Sequence, residues 1–173
     1  MLAPWRALRG VLAAAALTLA LPSAVAQVSP APDAAEQQAG TLLILGQDGQ
    51  SAALGIAELE QMPGVTVSLT REHEHGTPTA YAGPLLWAVL DRVGAVGRDA
   101  RGRVRRAVTV TGRDGYAVVL SLAELDPEFE GKPVIVATRA DGKPIGAGEL
   151  RLVVPGDKRA GRSVRDAVRV EVR

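Results

Sequence analysis

Short apolar runs, rich in Val, Leu and Ile and separated by turn signals, limit the fold of this chain more than any other sequence feature. Runs of four or five such residues match the length of strands rather than of helices. They occur at residues 42–45, 65–69, 108–111, 117–120, 134–138, 150–154 and 168–172. Helical patterns lie between these runs without the regular alternation of a doubly wound sheet. We therefore expect an α+β single domain built on a mixed sheet.

One helix is well defined by the sequence. Pro84 suits the first turn of a helix, where its missing N–H has no partner to lose, and Gly94 is typical of the residue that ends one. A shorter helix is predicted at residues 55–62, before Pro63. The longer helix has an apolar stripe formed by Leu85, Leu86, Val89 and Leu90.

A hairpin is predicted around residues 112–115, between two of the apolar runs. Asp114-Gly115 supplies the positive φ that a tight turn between strands requires. Ser121 follows the second run, and Glu124 lies three residues later, which is the spacing of a capping box. The sequence therefore predicts two paired strands followed directly by a short helix.

The first 26 residues have the three parts of a secretory signal peptide. Arg6 and Arg9 supply the charged region, residues 11–21 the apolar region, and Ala24-Val25-Ala26 the small-x-small cleavage site. The apolar region is shorter than the about 20 residues that cross a bilayer as a helix. We expect cleavage before Gln27, a periplasmic or secreted protein, and no transmembrane segment after cleavage.

The mature chain is nearly neutral and contains no cysteine. Cleavage leaves 18 basic and 19 acidic side chains, so charge gives no support for nucleic acid or an anionic membrane as a partner. Residues 27–40 are rich in Pro, Ala and Gln and predict a flexible tether before a domain at residues 41–173. Without cysteine, neither disulfides nor thiolate chemistry can contribute.

A candidate metal site is the pair His73 and His75, the only histidines in the chain. In an extended segment, residues two apart point to the same side, so both imidazoles could bind one Zn²⁺ or Cu²⁺, with Glu72 or Glu74 as further ligands. Two-ligand patterns without a third ligand are common by chance. This favours a solvated polar loop over a metal site.

A candidate anion site is the segment at residues 156–165, which contains four basic side chains, two glycines and a hydroxyl. Guanidinium forks and free backbone N–H groups are suited to a phosphate. A solvated basic turn has the same composition, and the spacing matches no established phosphate loop. The two interpretations have equal support from the residues alone.

Five segments together resemble the molybdopterin-binding oxidoreductase domain of the sulfite oxidase superfamily. Their order and spacing carry the resemblance, because each motif alone is only moderately specific, and they cover most of residues 41–173. The segments are Tyr81 to Leu90, Asp114-Gly115-Tyr116, Gly142-Lys143-Pro144-Ile145, Glu149 to Gly156 and Gly161-Arg162-Ser163-Val164-Arg165.

The resemblance implies a fold of the sulfite oxidase molybdopterin-binding type and a molybdopterin site. The residues matching the family's site are Arg151, Arg162, Ser163 and Arg165. A periplasmic redox system would then supply a partner protein. The family binds molybdenum through a cysteine after the strand that corresponds here to residues 65–69, and this chain has none. Catalysis of the sulfite oxidase kind is therefore not expected.

Two hypotheses for the function follow. The first is an exported oxidoreductase-type domain that binds molybdopterin. The second is a non-catalytic periplasmic module that uses the same fold to bind an anion, a metal or a partner protein. The ordinary export signal favours the second, because Arg6-Ala7-Leu8-Arg9 is not the twin-arginine pair expected for a protein exported with a cofactor in place.

Overall fold

The protein is an α+β domain rich in sheet, described by a computed structural model over residues 38–70 and 78–173. The strands are β1 Thr41–Leu45, β2 Ser51–Gly55, β3 Gly64–Leu69, β4 Thr79–Pro84, β5 Ala107–Gly112, β6 Ala117–Ser121, β7 Ile135–Ala137, β8 Arg139–Ala140, β9 Lys143–Pro144, β10 Arg151–Val153 and β11 Ala167–Val172. The helices are α1 Ile56–Glu60, α2 Leu86–Arg92, α3 Ala100–Arg103 and α4 Leu122–Leu125, and a 3₁₀ turn spans Ala160–Arg162.

The largest sheet has the strand order β2-β1-β11-β5-β6. β1 pairs with β11 in parallel, and the other three pairings are antiparallel. The first and last strands of the described domain therefore lie side by side. Alternate residues of β5 and β6 are buried, as expected where one face of a sheet covers a core.

A second region carries the candidate site. Here β3-β4-β8-β9 form a four-stranded antiparallel sheet, and β7 pairs with β10. Two isolated bridges connect this region to its surroundings, one between Leu85 and Ile135 and one between Leu152 and Val164. The second bridge fixes the segment that precedes β11.

Two groups of buried apolar side chains stabilise the domain. The larger packs α2 against the five-stranded sheet, and Leu42, Leu86 and Val108 are fully buried in it. The smaller lies below the candidate site and contains Leu69, Tyr81, Ile135, Ala137 and Val153. Burying side chains of this size stabilises the fold by about 1.5–3 kcal/mol each.

The predicted helix at residue 84 begins later than its sequence pattern indicated. Pro84 is the last residue of β4, and Leu85 has extended backbone at the helix N-cap. The N–H of Leu86 donates to the carbonyl oxygen of Val134, 2.8 Å away. Leu86, Val89 and Leu90 are buried as predicted, whereas Leu85 is only half-buried. Three of the four residues of the predicted stripe were correct, whereas the roles of Leu85 and Pro84 were wrong.

The predicted capping box is also wrong, although α4 itself is present. Ser121 makes no side-chain bond at the N-cap of α4. The carboxylate of Glu124 instead contacts Arg162 and Lys132, which are cations from distant parts of the chain. Charge-assisted contacts of this kind are stronger than a capping hydrogen bond, which explains the outcome.

No helix in the described residues is both long enough and apolar enough to cross a membrane.

Candidate functional site

A cavity of about 350 Å³ lies between the four-stranded sheet and the segment that leads into β11. Tyr81 comes from β4, Arg151 begins β10, and Arg165 precedes β11, so three separate parts of the sequence meet there. The lining residues are Tyr81, Ala140, Ile145, Gly148, Glu149, Arg151, Arg165 and Asp166.

The floor of the cavity pairs an aromatic ring with a cation. Tyr81 is 3% exposed, and the guanidinium carbon of Arg151 lies 5.3 Å from the centre of its ring. Such a stacked guanidinium keeps its charge and loses little freedom when it binds an anion. Tyr81 is placed by the pairing of β4 with β3 and β8, where it lies opposite Val67 and Ala140.

Arg165 is exposed to solvent at the cavity because of the residue that precedes it. Val164 is fully buried and bridges Leu152, so the next side chain in this extended segment points the opposite way. Asp166 then adopts φ 42°, which turns the chain into β11. Within residues 38–70 and 78–173, the Arg165 side chain has no carboxylate partner.

The two carboxylates of the cavity are engaged elsewhere. Oε2 of Glu149 accepts a hydrogen bond from the N–H of Gly146, 2.7 Å away. Oδ2 of Asp166 accepts one from Nε of Arg113, also at 2.7 Å. Neither carboxylate forms an ion pair with Arg165 among the described residues, so its guanidinium can still attract an anion.

A second cavity of about 330 Å³ shares Arg165 with the first. Ser163 lies in it, and its hydroxyl oxygen accepts a hydrogen bond from the N–H of Val154 at 3.3 Å. The hydroxyl of Tyr116 donates to the carbonyl oxygen of Gly161, which ties the β5–β6 turn to the 3₁₀ turn. Arg165 thus connects two neighbouring spaces, lined on the second side by Asp114, Tyr116, Ala160, Gly161 and Ser163.

Arg162, the remaining cation of the predicted site, lines neither cavity. Its Nε and Nη2 donate to the two carboxylate oxygens of Asp157, at 2.7 and 2.6 Å. Its Nη1 donates to Glu124, at 3.0 Å. The structure therefore brings Arg151, Ser163 and Arg165 to the two cavities and holds Arg162 in an ion-pair network beside them.

The other sequence candidates lie elsewhere. His73 and His75, together with the signal peptide at residues 1–26 and most of the tether at 27–40, fall outside the described residues. Among the residues that the structure does describe, no three His, Cys, Asp or Glu side chains are grouped closely enough to hold a metal ion.

The residues present fit only part of molybdopterin, the group that the sequence resemblance implies. Arg151, Ser163 and Arg165 provide two cations and a hydroxyl, which suit a phosphate. Molybdenum in that family is held by a cysteine thiolate, and this sequence contains no cysteine. A metal bound here would have to use ligands of a different chemical type.

Sequence reasoning missed Tyr81 and Asp166 as members of the site. Tyr81 was part of a motif, but its strand was not predicted, so its place below Arg151 could not be inferred. Asp166 could have been suspected, because Arg165-Asp166 precedes a predicted strand and Asp tolerates the left-handed turn found there.

Comparison with known proteins supports the class of fold. No protein-family model and no curated protein matches the chain. Among solved structures, the fold is similar to part of the sulfane dehydrogenase SoxCD from Paracoccus pantotrophus, with a TM-score of 0.57 and 18% sequence identity. The similarity covers 76% of this chain but only 37% of the SoxCD chain. At this identity the likeness concerns the fold alone.

Proposed function

We propose that this chain is an exported binding module for a small oxyanion, built on a fold of the sulfite oxidase molybdopterin-binding type. The observation that carries the proposal is the pair of cations at one cavity, Arg151 stacked on Tyr81 and Arg165 without a carboxylate partner among the described residues. An anion bound between two guanidinium groups receives charge-assisted hydrogen bonds from both.

Catalysis at molybdenum is not part of the proposal, because the chain supplies no thiolate. The phosphate of a pterin cofactor remains one ligand of the right chemical class for Arg165. A binding module without a metal centre of its own acts by delivering its ligand to another protein or by recruiting one. We therefore infer a periplasmic partner protein. The resemblance to an oxidoreductase family makes a redox protein the first partner to test.

Calorimetric titration of residues 27–173 with inorganic phosphate, sulfate and molybdate tests the proposal. Arg165→Gln removes the cation that has no carboxylate partner among the described residues, and it should weaken the binding of the preferred ion about tenfold or more. Arg105→Gln is the matched control, because Arg105 is exposed and lines neither cavity. If no ion binds, or if the two variants weaken binding equally, the Arg165 site does not exist.

A second candidate function is the holding of intact molybdopterin, favoured by the fold similarity to a dehydrogenase. Pterin and molybdenum analysis of the protein recovered from the periplasm of its own host distinguishes the two. The binding-module proposal expects neither in stoichiometric amount. Finding both, and losing both in Arg165→Gln, would establish a cofactor protein instead.

A further inference from the structure

The basic segment at residues 156–165 contains an internal ion pair, in which Arg162 binds the carboxylate of Asp157. Arg162 and Asp157 form a two-pronged contact, with Nε–Oδ2 at 2.7 Å and Nη2–Oδ1 at 2.6 Å. This is the geometry in which a guanidinium grips two oxygens of a phosphate or sulfate. The edge of Arg162 that would bind such an ion is therefore filled.

Two further groups complete this ion-pair network. Nζ of Lys132 lies 3.0 Å from Oε1 of Glu124 and 3.5 Å from Oδ1 of Asp157, and Nη1 of Arg162 lies 3.0 Å from Glu124. The side chains of Glu124, Lys132 and Asp157 are each only 15–16% exposed. Two cations and two carboxylates thus balance each other. Arg162 is 37% exposed, but the other three side chains are sheltered enough for an unmatched charge to be costly.

We propose that the Asp157 carboxylate occupies an oxyanion site formed by Arg162 and Lys132, so that the native chain closes this site to free ions. Without Asp157, two cations face the single carboxylate of Glu124, and the sheltered network has an excess positive charge. A tetrahedral oxyanion such as phosphate restores the balance and regains the two-pronged contact with Arg162. The site therefore becomes an anion site when Asp157 loses its carboxylate.

The turn that carries Asp157 begins at an open position of the backbone. Gly156 has φ 81°, and a Cβ built on it would meet no atom within 4 Å, so the backbone beside Asp157 is open. Ser163, adjacent to Arg162, keeps its hydroxyl bonded to the N–H of Val154 and is not needed for the site. This second site is separate from the proposed Arg165 site, because Arg162 lines neither cavity.

The experiment measures phosphate binding by calorimetry in an Arg165→Gln background, with ionic strength held constant by chloride. This background removes the proposed Arg165 site, so failure of one proposal does not decide the other. We expect Asp157→Ala to increase phosphate affinity at least tenfold over the background. Adding Arg162→Ala to that variant should abolish the gain. Phosphate should likewise raise the melting temperature of the variant with Arg165→Gln and Asp157→Ala. It should not raise that of the Arg165→Gln background or of the variant that also carries Arg162→Ala.

Asp157→Ser is the second variant, because the small serine hydroxyl can still accept a hydrogen bond from Arg162 and leaves room for an ion. Circular dichroism confirms that each variant is folded before titration. A folded Ala or Ser variant with no gain in phosphate affinity overturns the proposal. So does a gain that survives Arg162→Ala, since the ion would then be bound elsewhere. Phosphate binding to Arg162 in the chain with Asp157 intact also contradicts it.

Discussion

Arg103 and Asp126 form a buried ion pair in which Nε lies 2.7 Å from Oδ2. The Asp126 side chain is completely buried, and the contact between these two atoms is an ion pair rather than a hydrogen bond. The Arg103 guanidinium also lies 5.6 Å from the centre of the Trp87 ring and reaches Glu128 through Nη2. Arg103 thus connects α3 to the turn after α4.

Removing one partner of this pair should destabilise the domain. We expect Asp126→Ala to lower the free energy of unfolding by about 3–5 kcal/mol, because Arg103 would keep a buried charge with only the exposed Glu128 as a counterion. Urea denaturation measures the change. Glu128→Gln is the control, and its cost should be within about 1 kcal/mol, since Glu128 is 65% exposed. Equal losses in the two variants would show that burial of Asp126 is unimportant.

β4 approaches β7 closely at Gly83. A Cβ on Gly83 would lie 2.0 Å from the carbonyl oxygen of Val136, which is backbone and cannot turn aside. We expect Gly83→Ala to lower the free energy of unfolding by about 3 kcal/mol or more. Gly64→Ala, on the neighbouring strand β3, meets its nearest atom at 3.4 Å and should change stability by less than about 1 kcal/mol. Thermal and urea unfolding compare the two; similar stability would contradict the close approach.

Strands with local turn signals could be predicted from the sequence. The β5–β6 hairpin is present, with Gly115 at φ 81° and the N–H of Gly112 donating to Tyr116. β4 was missed because four of its six residues, Thr-Ala-Tyr-Ala-Gly-Pro, are Ala, Gly or Pro, which have weak strand preference. Its pairing with β3 on one side and β8 on the other determines its conformation, and neither contact is visible in a local pattern.

The candidate site could be predicted only as a segment. Arg162 and Arg165 have the same side chain and lie three residues apart, yet one is enclosed by carboxylates and the other faces a cavity. The burial of Val164 sets which way its neighbours point, and Glu124 reaches Arg162 from 38 residues away. Both relationships depend on the folded chain, so composition alone left the two interpretations of the segment equally supported.

The carboxylates of Asp157 and Glu171 should make the free energy of unfolding depend on pH in the acidic range. The hydrogen bonds from Arg162 lower the pKa of Asp157 below its usual value near 3.8, and those from Arg173 lower the pKa of Glu171 below 4.5. A carboxylate whose folded pKa is lowered stabilises the fold above its unfolded pKa, and that stability is lost as pH falls through the folded value. We expect the free energy of unfolding to decline below about pH 4.

Asp157→Asn isolates the contribution of one of these groups. The variant should be less stable than the parent at pH 7, and the difference between them should shrink as pH falls below about 4. Urea unfolding at intervals from pH 7 downward measures both curves. Asp91→Asn, at an exposed position of α2, serves as the control and should follow the parent curve. A constant difference between Asp157→Asn and the parent at every pH would mean that the Asp157 carboxylate has no lowered pKa.

The proposed export makes a prediction about the mature amino terminus. Signal peptidase selects small side chains at the first and third positions before the cleaved bond, here Ala26 and Ala24, so the mature protein should begin at Gln27. Intact mass measurement of protein from the periplasmic fraction tests this. Ala26→Arg should leave the precursor uncleaved and bound to the membrane fraction, whereas Val25→Leu, between the two small positions, should be processed normally. Recovery of a full-length chain in the soluble cytoplasmic fraction would contradict export and, with it, the proposed periplasmic partner.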